Sequence, residues 1–259
     1  MEVVIRQHEQ QCGVTAADIF ADAVTSGATT LGLATGSSPL SVYRDLIRRH
    51  RQEGLTFADV QAFLLDEYVG LPPDHPQSYA HVIRAEFTDH VDIDSTRVHS
   101  PNGVADDIFV AAEEYDALIA DAGPIDVQLL GIGSNGHVGF NEPGSSLGSR
   151  TRVKTLTEQT RRDNARFFTG IDNVPRHVIT QGLGTISAAR HLVLIATGGH
   201  KAEAITAAVE GPLTASCPAS VLQLHPHVTV VVDDAAAAQL KNADFYRYAL
   251  KYKPAQQKH

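Results

Sequence analysis

Short apolar runs alternate with helix-period segments along nearly the whole chain, and this alternation constrains the fold more than any other feature of the sequence. The runs are VVI at 3–5, TTLGLA at 29–34, VQAFLL at 60–65, DVQLLGIG at 126–133, HVIT at 177–180, HLVLIA at 191–196 and VTVVV at 228–232. Each reads as a short buried strand. Between them apolar residues recur at helical spacing: Ala16, Phe20, Ala23 and Val24; Leu40, Tyr43, Leu46 and Ile47; Ile108, Ala111, Ala112, Tyr115, Leu118 and Ile119; and Ala202, Ile205, Ala208 and Val209. Gly54 and Gly123 stand where two of these segments stop, as a C-terminal cap requires. Strands joined by helices predict crossover connections, and so a three-layer α/β fold with a mostly parallel sheet and helices on both faces. No repeat, low-complexity linker or compositional break divides residues 1–259, so a single domain is expected. Ligands of such sheets bind beyond the carboxyl ends of the strands, which makes the turns after each strand the places to search.

A chain that is 43% hydrophobic and only 20% charged can bury a large core, which excludes disorder as its main state. No run approaches the ~18 apolar residues of a membrane span, and the opening MEVVIRQHEQ has no apolar leader segment. A soluble, cytoplasmic protein is expected. Cys12 and Cys217 lie far apart and belong to no Cys/His cluster, so neither a disulfide framework nor a structural zinc site is expected. The formal charge of −9, with histidines neutral, disfavours nucleic acid and anionic membrane as partners. That charge is uneven. Residues 150–166 hold six basic residues (Arg150, Arg152, Lys154, Arg161, Arg162 and Arg166) against two acidic ones (Glu158 and Asp163). A cationic island on an acidic chain fits either a solvated helix face or a small anionic ligand.

Four turns carry the candidate chemistry. TGSSP at 35–39 follows the second run; Ser38 reads as an N-cap and Pro39 as the first helical residue, so the amides of Gly36, Ser37 and Ser38 would face an anion. DEYVGLPPDHPQSY at 66–79 places Asp66 and Glu67 where an apolar strand ends. Restricted solvation there raises a carboxyl toward the range of a general base, the alternative being an acidic pair that merely ends a strand. GIGSNGHVGFNEPGSSLGSR at 131–150 satisfies GxGxxG with Gly131, Gly133 and Gly136, yet a loop follows instead of the helix that would hold a pyrophosphate. No dinucleotide site is expected. The glycines instead let the backbone approach a small ligand while presenting Asn135, His137 and Glu142. Acid–base work suits His137 better than metal binding, for which the spacing implies no third ligand. TGGHKAEAI at 197–205 sets a glycine pair and Lys201 at a helix start, which again suits an anion.

Taken together, LGLATGSSP, FLLDEYVGL, GIGSNGHVGFNEPGSSLGSRTRVKTL and HKAEAITAAVEG resemble the glucosamine-6-phosphate deaminase, or isomerase, family, in order and with matching spacing from about residue 3 to about residue 240. The resemblance implies one Rossmann-like α/β domain, lid-like at about 150–175, that converts glucosamine 6-phosphate and water to fructose 6-phosphate and ammonia with no cofactor and no metal. It implies that Asp66 takes the C2 proton, that His137 moves the proton that opens the pyranose ring, and that Glu142 assists it. Asn135 stands where the family has Asp or Asn; asparagine orients an imidazole but stabilises an imidazolium less than a carboxylate does. The family's phosphate pocket falls on Gly36, Ser37, Ser38, Arg166 and Lys201. Some bacterial members are hexamers regulated by N-acetylglucosamine 6-phosphate, so a homo-oligomer and an effector site at Ser145, Arg152, Lys154 and Thr155 are further expectations. The tail FYRYALKYKPAQQKH departs from those members' effector-binding tyrosine region.

Three alternatives compete. The 6-phosphogluconolactonases have a similar fold and a similar GxGxxGH turn, but continue differently where this chain has GFNEP, and lack DEYVGL. A sugar-phosphate-binding regulator without chemistry would be expected to have lost Asp66 or His137, and both remain. Galactosamine 6-phosphate is the third, as substrate within the deaminase family.

Overall fold

The structure, a computed structural model, describes residues 1–254; the last part of the C-terminal tail, 255–259, lies outside the described residues. In chain order its elements are β1 (Glu2–Arg6), α1 (Glu9–Thr25), β2 (Thr30–Leu33), α2 (Ser37–Glu53), β3 (Gln61–Leu64), β4 (Asp66–Tyr68), α3 (Tyr79–Glu86), β5 (Val98–His99), α4 (Ile108–Asp121), β6 (Val127–Leu130), β7 (Arg152–Thr155), α5 (Glu158–Asn164), β8 (His177–Thr180), α6 (Leu183–Ile186), β9 (His191–Ala196), α7 (Ala202–Val209), β10 (Val228–Asp233) and α8 (Ala243–Lys251). Six of the apolar runs become strands of a seven-stranded sheet in the order β1-β10-β9-β6-β2-β3-β5, with every neighbouring pair parallel. All residues of β2, β6, β9 and β10 are buried, as a parallel sheet covered on both faces requires. Ile19 and Phe20 of α1 and Val42, Tyr43 and Leu46 of α2 join Val4, Leu31, Leu129, Val193 and Val231 of the strands in one core. This is the single α/β domain expected from the alternation.

Two expectations are corrected. HVIT is not a strand of the parallel sheet: as β8 it runs antiparallel to both β4 and β7 in a separate three-stranded sheet, with Asp66 and Arg152 both in register with Thr180. The chain enters that second sheet through Leu65. Its amide donates to Leu33 O at 3.2 Å, continuing β3 along β2, while its carbonyl accepts from Gln181 N at 2.8 Å, just past β8. Asp66 is therefore the first residue beyond the crossing. The second correction concerns α2, which starts at Ser37 with Gly36 as its N-cap, two residues ahead of the expected Ser38 cap. Gly36 makes this possible by turning into the helix at φ 111°, a conformation that side-chain-bearing residues rarely adopt. Pro39 still falls in the first turn, where its missing N–H has no intrahelical acceptor to lose.

Among the described residues, no helix is long and apolar enough to cross a membrane. The centre of the sheet allows little change. Gly32 is paired in register with Gln128, whose fully buried side chain lies over it, so a Cβ on Gly32 would overlap the carboxamide. Gly32→Ala is expected to lower the unfolding free energy by about 1–3 kcal/mol, measured by urea denaturation, and adding Gln128→Ala is expected to recover part of that loss.

Candidate active site

Because β9, β6, β2 and β3 are neighbours in a parallel sheet, the turns that follow them open side by side on one edge. Those are the four turns singled out in the sequence. The longest, after β6, folds back on itself: Gly133 N donates to His137 O at 2.9 Å and Gly136 N to Gly133 O at 3.0 Å. No helix follows until α5, so the GxGxxG stretch is a loop, as read from the sequence.

This fold-back aligns three side chains. Asn135 Nδ2 donates to Glu142 Oε2 at 2.8 Å, and Asn135 Oδ1 lies 2.7 Å from His137 Nδ1. A carboxylate only accepts, so the Asn135 amide nitrogen must face Glu142 and its oxygen must face the ring. The proton of a neutral imidazole is thereby fixed on Nδ1, leaving Nε2 with a free lone pair. Glu142 Oε2 is also 3.7 Å from His137 Nδ1. The opposite oxygen, Oε1, accepts from the hydroxyls of Thr157, at 3.2 Å, and Thr160. Burial alone would raise the Glu142 carboxyl; its hydrogen bonds, with His137 and Thr160 foremost, outweigh this and hold it at about 2.

Asp66 is in the opposite condition. It is 6% exposed, and among the described residues no hydrogen-bond donor reaches its carboxylate. Burial, reinforced by the charge of Glu67, pushes its carboxyl well above the usual 3.8. Gly139, at φ +55°, presses the histidine loop against it: a Cβ there would lie 3.4 Å from Asp66 Oδ2 and 3.0 Å from Thr180 Oγ1. Tyr68, Tyr79 and Tyr115 are near enough to feel the Asp66 charge. The adjacent Glu67 is structural in its contacts. It accepts from Tyr68 N, Tyr79 N, Ala80 N and the Ser78 hydroxyl at 2.8–3.0 Å, tying β4 to the start of α3.

Of the expected phosphate residues, Gly36 and Ser37 are exposed at the start of α2 and Ser38 is buried. Lys201 stands just ahead of α7, its amine donating to Ile132 O at 2.7 Å. Burial pulls its ammonium below the usual lysine value, with Asp163 opposing this and Arg166 adding to it. Arg166 is exposed, its guanidinium 4.7 Å from the centre of the Phe167 ring. Lys201 and Arg166 thus come within electrostatic reach of each other from distant parts of the chain. Of the expected effector residues, Ser145 is buried in the loop after Glu142, while Arg152, Lys154 and Thr155 lie on β7. Arg152 donates to Asn141 Oδ1 at 2.9 Å, and the Thr155 hydroxyl is 3.3 Å from His177 Nδ1. Among the described residues no group of three His, Cys, Asp or Glu side chains is arranged to hold a metal ion. A separate open cleft of about 690 Å³, lined by Arg6, Gln7, His8 and Thr15, includes none of these residues.

Sequence reasoning missed the threonines on Glu142, the tyrosines around Asp66 and the four donors on Glu67. Thr157 carried a signal, since TxxT preceding α5 fits an N-cap; its partner Glu142 is 15 residues away and had none.

Beyond the carboxyl edge of a parallel sheet the chain gathers a donor-deprived aspartate, a histidine chained to a carboxylate and a lysine within electrostatic reach of an arginine, the groups of an α/β enzyme. The chain belongs to the family of glucosamine-6-phosphate isomerases and 6-phosphogluconolactonases, whose profile matches residues 6–231. It is 67% identical to a glucosamine-6-phosphate deaminase of Rhodococcus opacus and 54% identical to one of Mycolicibacterium smegmatis, each over 99% of both chains. The solved structure of a monomeric glucosamine-6-phosphate deaminase matches with a TM-score of 0.90 at 44% identity, covering 92% of this chain and 99% of that one. A 6-phosphogluconolactonase from Trypanosoma brucei, 21% identical with a TM-score of 0.74, covers 92% of this chain and 98% of its own and shares the fold.

The raised Asp66 carboxyl has a consequence for stability. A carboxyl raised by folding binds its proton more tightly in the native state, so stability is full below 3.8 and is lost as pH rises toward the raised value. Asp66→Asn is therefore expected to melt several degrees above the wild type at pH 7, with the gap closing toward pH 4, measured by thermal unfolding.

Proposed function

We infer that this protein is a glucosamine-6-phosphate deaminase, converting glucosamine 6-phosphate and water to fructose 6-phosphate and ammonia. The observation that carries the mechanism is the packing of Gly139 against Asp66, which puts a donor-deprived carboxylate and the His137 loop in one site. The relatives at 54–67% identity over 99% of the chain place the substrate on the deaminase side of the family.

The chemistry follows from the groups. The closed sugar hides its aldehyde, so a proton must leave the O1 hydroxyl and another must reach the ring oxygen. His137 does this through Nε2, because Asn135 holds Nδ1–H. Glu142, chained to the same asparagine, supports the imidazolium that forms in between. In the open amino aldehyde the C2–H is acidified by the neighbouring carbonyl. The Asp66 carboxylate takes that proton and returns it to C1 while O1 gains a proton and the amino nitrogen gives one up, so that C1 becomes an alcohol and the unsaturation moves to C2 as an imine. Water then adds to C2 and ammonia leaves, giving the ketone. Burial makes Asp66 a stronger base than a solvated aspartate, which suits proton removal from carbon.

The phosphate is held by Arg166, by Lys201, whose amine has N–H groups to spare beyond its bond to Ile132 O, and by the first-turn amides at Gly36, Ser37 and Ser38. Anchoring the far end of the sugar fixes C1 and C2 against the base, and such positioning lowers the barrier of every step. The segment at about 150–175, which carries Arg166, acts as a lid over this end of the site.

Incubation of purified protein with glucosamine 6-phosphate is expected to release ammonia and fructose 6-phosphate in equal amounts; release of neither rejects the assignment. Asp66→Asn is expected to abolish exchange of the C2 proton with solvent. His137→Gln is expected to slow ring opening by about 10²-fold or more, and wild-type rates in both variants reject the assigned roles.

A further inference from the structure

The two oxygens of Glu142 face different parts of the chain. Oε2 serves the histidine loop through Asn135, whereas Oε1 is held from the Arg166-bearing segment, by the hydroxyls of Thr157 and Thr160 and, at 3.5 Å, by the Thr157 amide. A hydroxyl has one proton to give, and that of Thr160 goes to Glu142 Oε1. The Thr157 oxygen accepts from Thr160 N at 3.1 Å, and its hydroxyl lies within reach of both Glu142 Oε1, at 3.2 Å, and Thr160 Oγ1, at 3.0 Å, so it supports Glu142 directly or through Thr160. Both Thr160 and Glu142 are buried, at 4% and 3% exposure, so water does not replace a donor that is removed. The charged side chains of α5 are engaged elsewhere: Glu158 pairs with Arg162, Arg161 donates to the carbonyls of Ile171 and Val174, and Asp163 accepts from Gln159 Nε2 at 2.8 Å. Glu142 thus meets this segment through the two hydroxyls and, at 3.5 Å, the Thr157 amide.

The same segment also reaches the other half of the site. Asn164 Nδ2 donates to the Tyr68 hydroxyl at 2.9 Å, and Phe168 stands edge-on to the Tyr68 ring at 5.6 Å, two residues along β4 from Asp66. Arg166 lies between these two contacts. We propose that Thr160, assisted by Thr157, is a positioning residue for Glu142, so that the His137–Asn135–Glu142 chain is completed by the segment that brings Arg166 to the substrate phosphate. Binding of the phosphate and readiness for ring opening are then properties of one docked segment. The donors also oppose the effect of burial on Glu142 and keep it a carboxylate.

This inference rests on the deaminase reading, and its test separates the two. Thr160→Val, nearly the same shape without the hydroxyl, is expected to lower kcat for glucosamine 6-phosphate about tenfold or more, the worth of a hydrogen bond to a charged group. KM is expected to change little, because Arg166 and Lys201 are untouched, and Thr160→Ser is expected to keep close to wild-type kcat. In a Glu142→Ala background, Thr160→Val is expected to add less than about twofold, since two residues that act through one group are not additive. If Thr160→Val fails to fold, Thr157→Val, at an exposed position, is expected to lower kcat in the same direction by a smaller factor, since the Thr160 hydroxyl and the Thr157 amide still reach Glu142. An active wild type with a folded Thr160→Val whose kcat is unchanged, or losses that add in full with Glu142→Ala, overturns the positioning role alone. A wild type inert toward glucosamine 6-phosphate overturns both readings.

Discussion

The backbone of Leu65 is shared between two sheets, and the geometry of the site is referred to that crossing. Its amide ends the β2–β3 pairing and its carbonyl begins the contact with the β8 side of the second sheet. Asp66 is thereby carried off the carboxyl edge of the large sheet and laid opposite Thr180. Thr180 accepts from Phe140 N at 3.1 Å, and Asn141, fully buried, donates to the carbonyls of Val138 and Gln181. The loop that presents His137 is therefore fastened to the same rung of the small sheet that holds the aspartate. Arg152, the third member of that rung, closes it by donating to Asn141.

Neighbouring carboxylates are given opposite environments by this arrangement. Asp66 and Glu67 are adjacent and both buried, yet among the described residues Glu67 faces four donors and Asp66 faces none. The alternation of side chains along a strand sends one toward the start of α3 and the other toward the histidine loop. Glu142, surrounded by donors, is the reverse of Asp66 again. Separate proton affinities for like groups within one site are what acid–base chemistry at a single pH requires.

Much of the fold was legible because the apolar runs are short, bounded and separated by helical periodicity, which leaves a parallel sheet as the natural arrangement. β5 was not, since two residues carry no period. The antiparallel placement of β8 was not, since HVIT looks the same in either sheet and its partners at 66–68 and 152–155 are remote in sequence. The start of α2 was misread because Ser38 and Pro39 have the capping residue types, while the preference of Gly36 for a left-handed φ decided the matter. Within the site, the polar residues following each strand could be named from the chain alone. The hydroxyls that hold them could not: Thr160 meets Glu142 only because α5 is folded down onto the loop, and nothing local to TLTEQT announces it.

Asparagine at position 135 also sets the charge that an incoming ligand meets. With a neutral imidazole, the group formed by His137, Asn135 and Glu142 carries a single negative charge, and on protonation of the ring it carries none. An aspartate there would add one charge to each state. On a chain whose formal charge is already −9, a dianionic sugar phosphate would approach against that additional repulsion. The neutral amide orients the ring without adding a charge of its own, so a single residue sets the direction of the imidazole and limits the repulsion at the site.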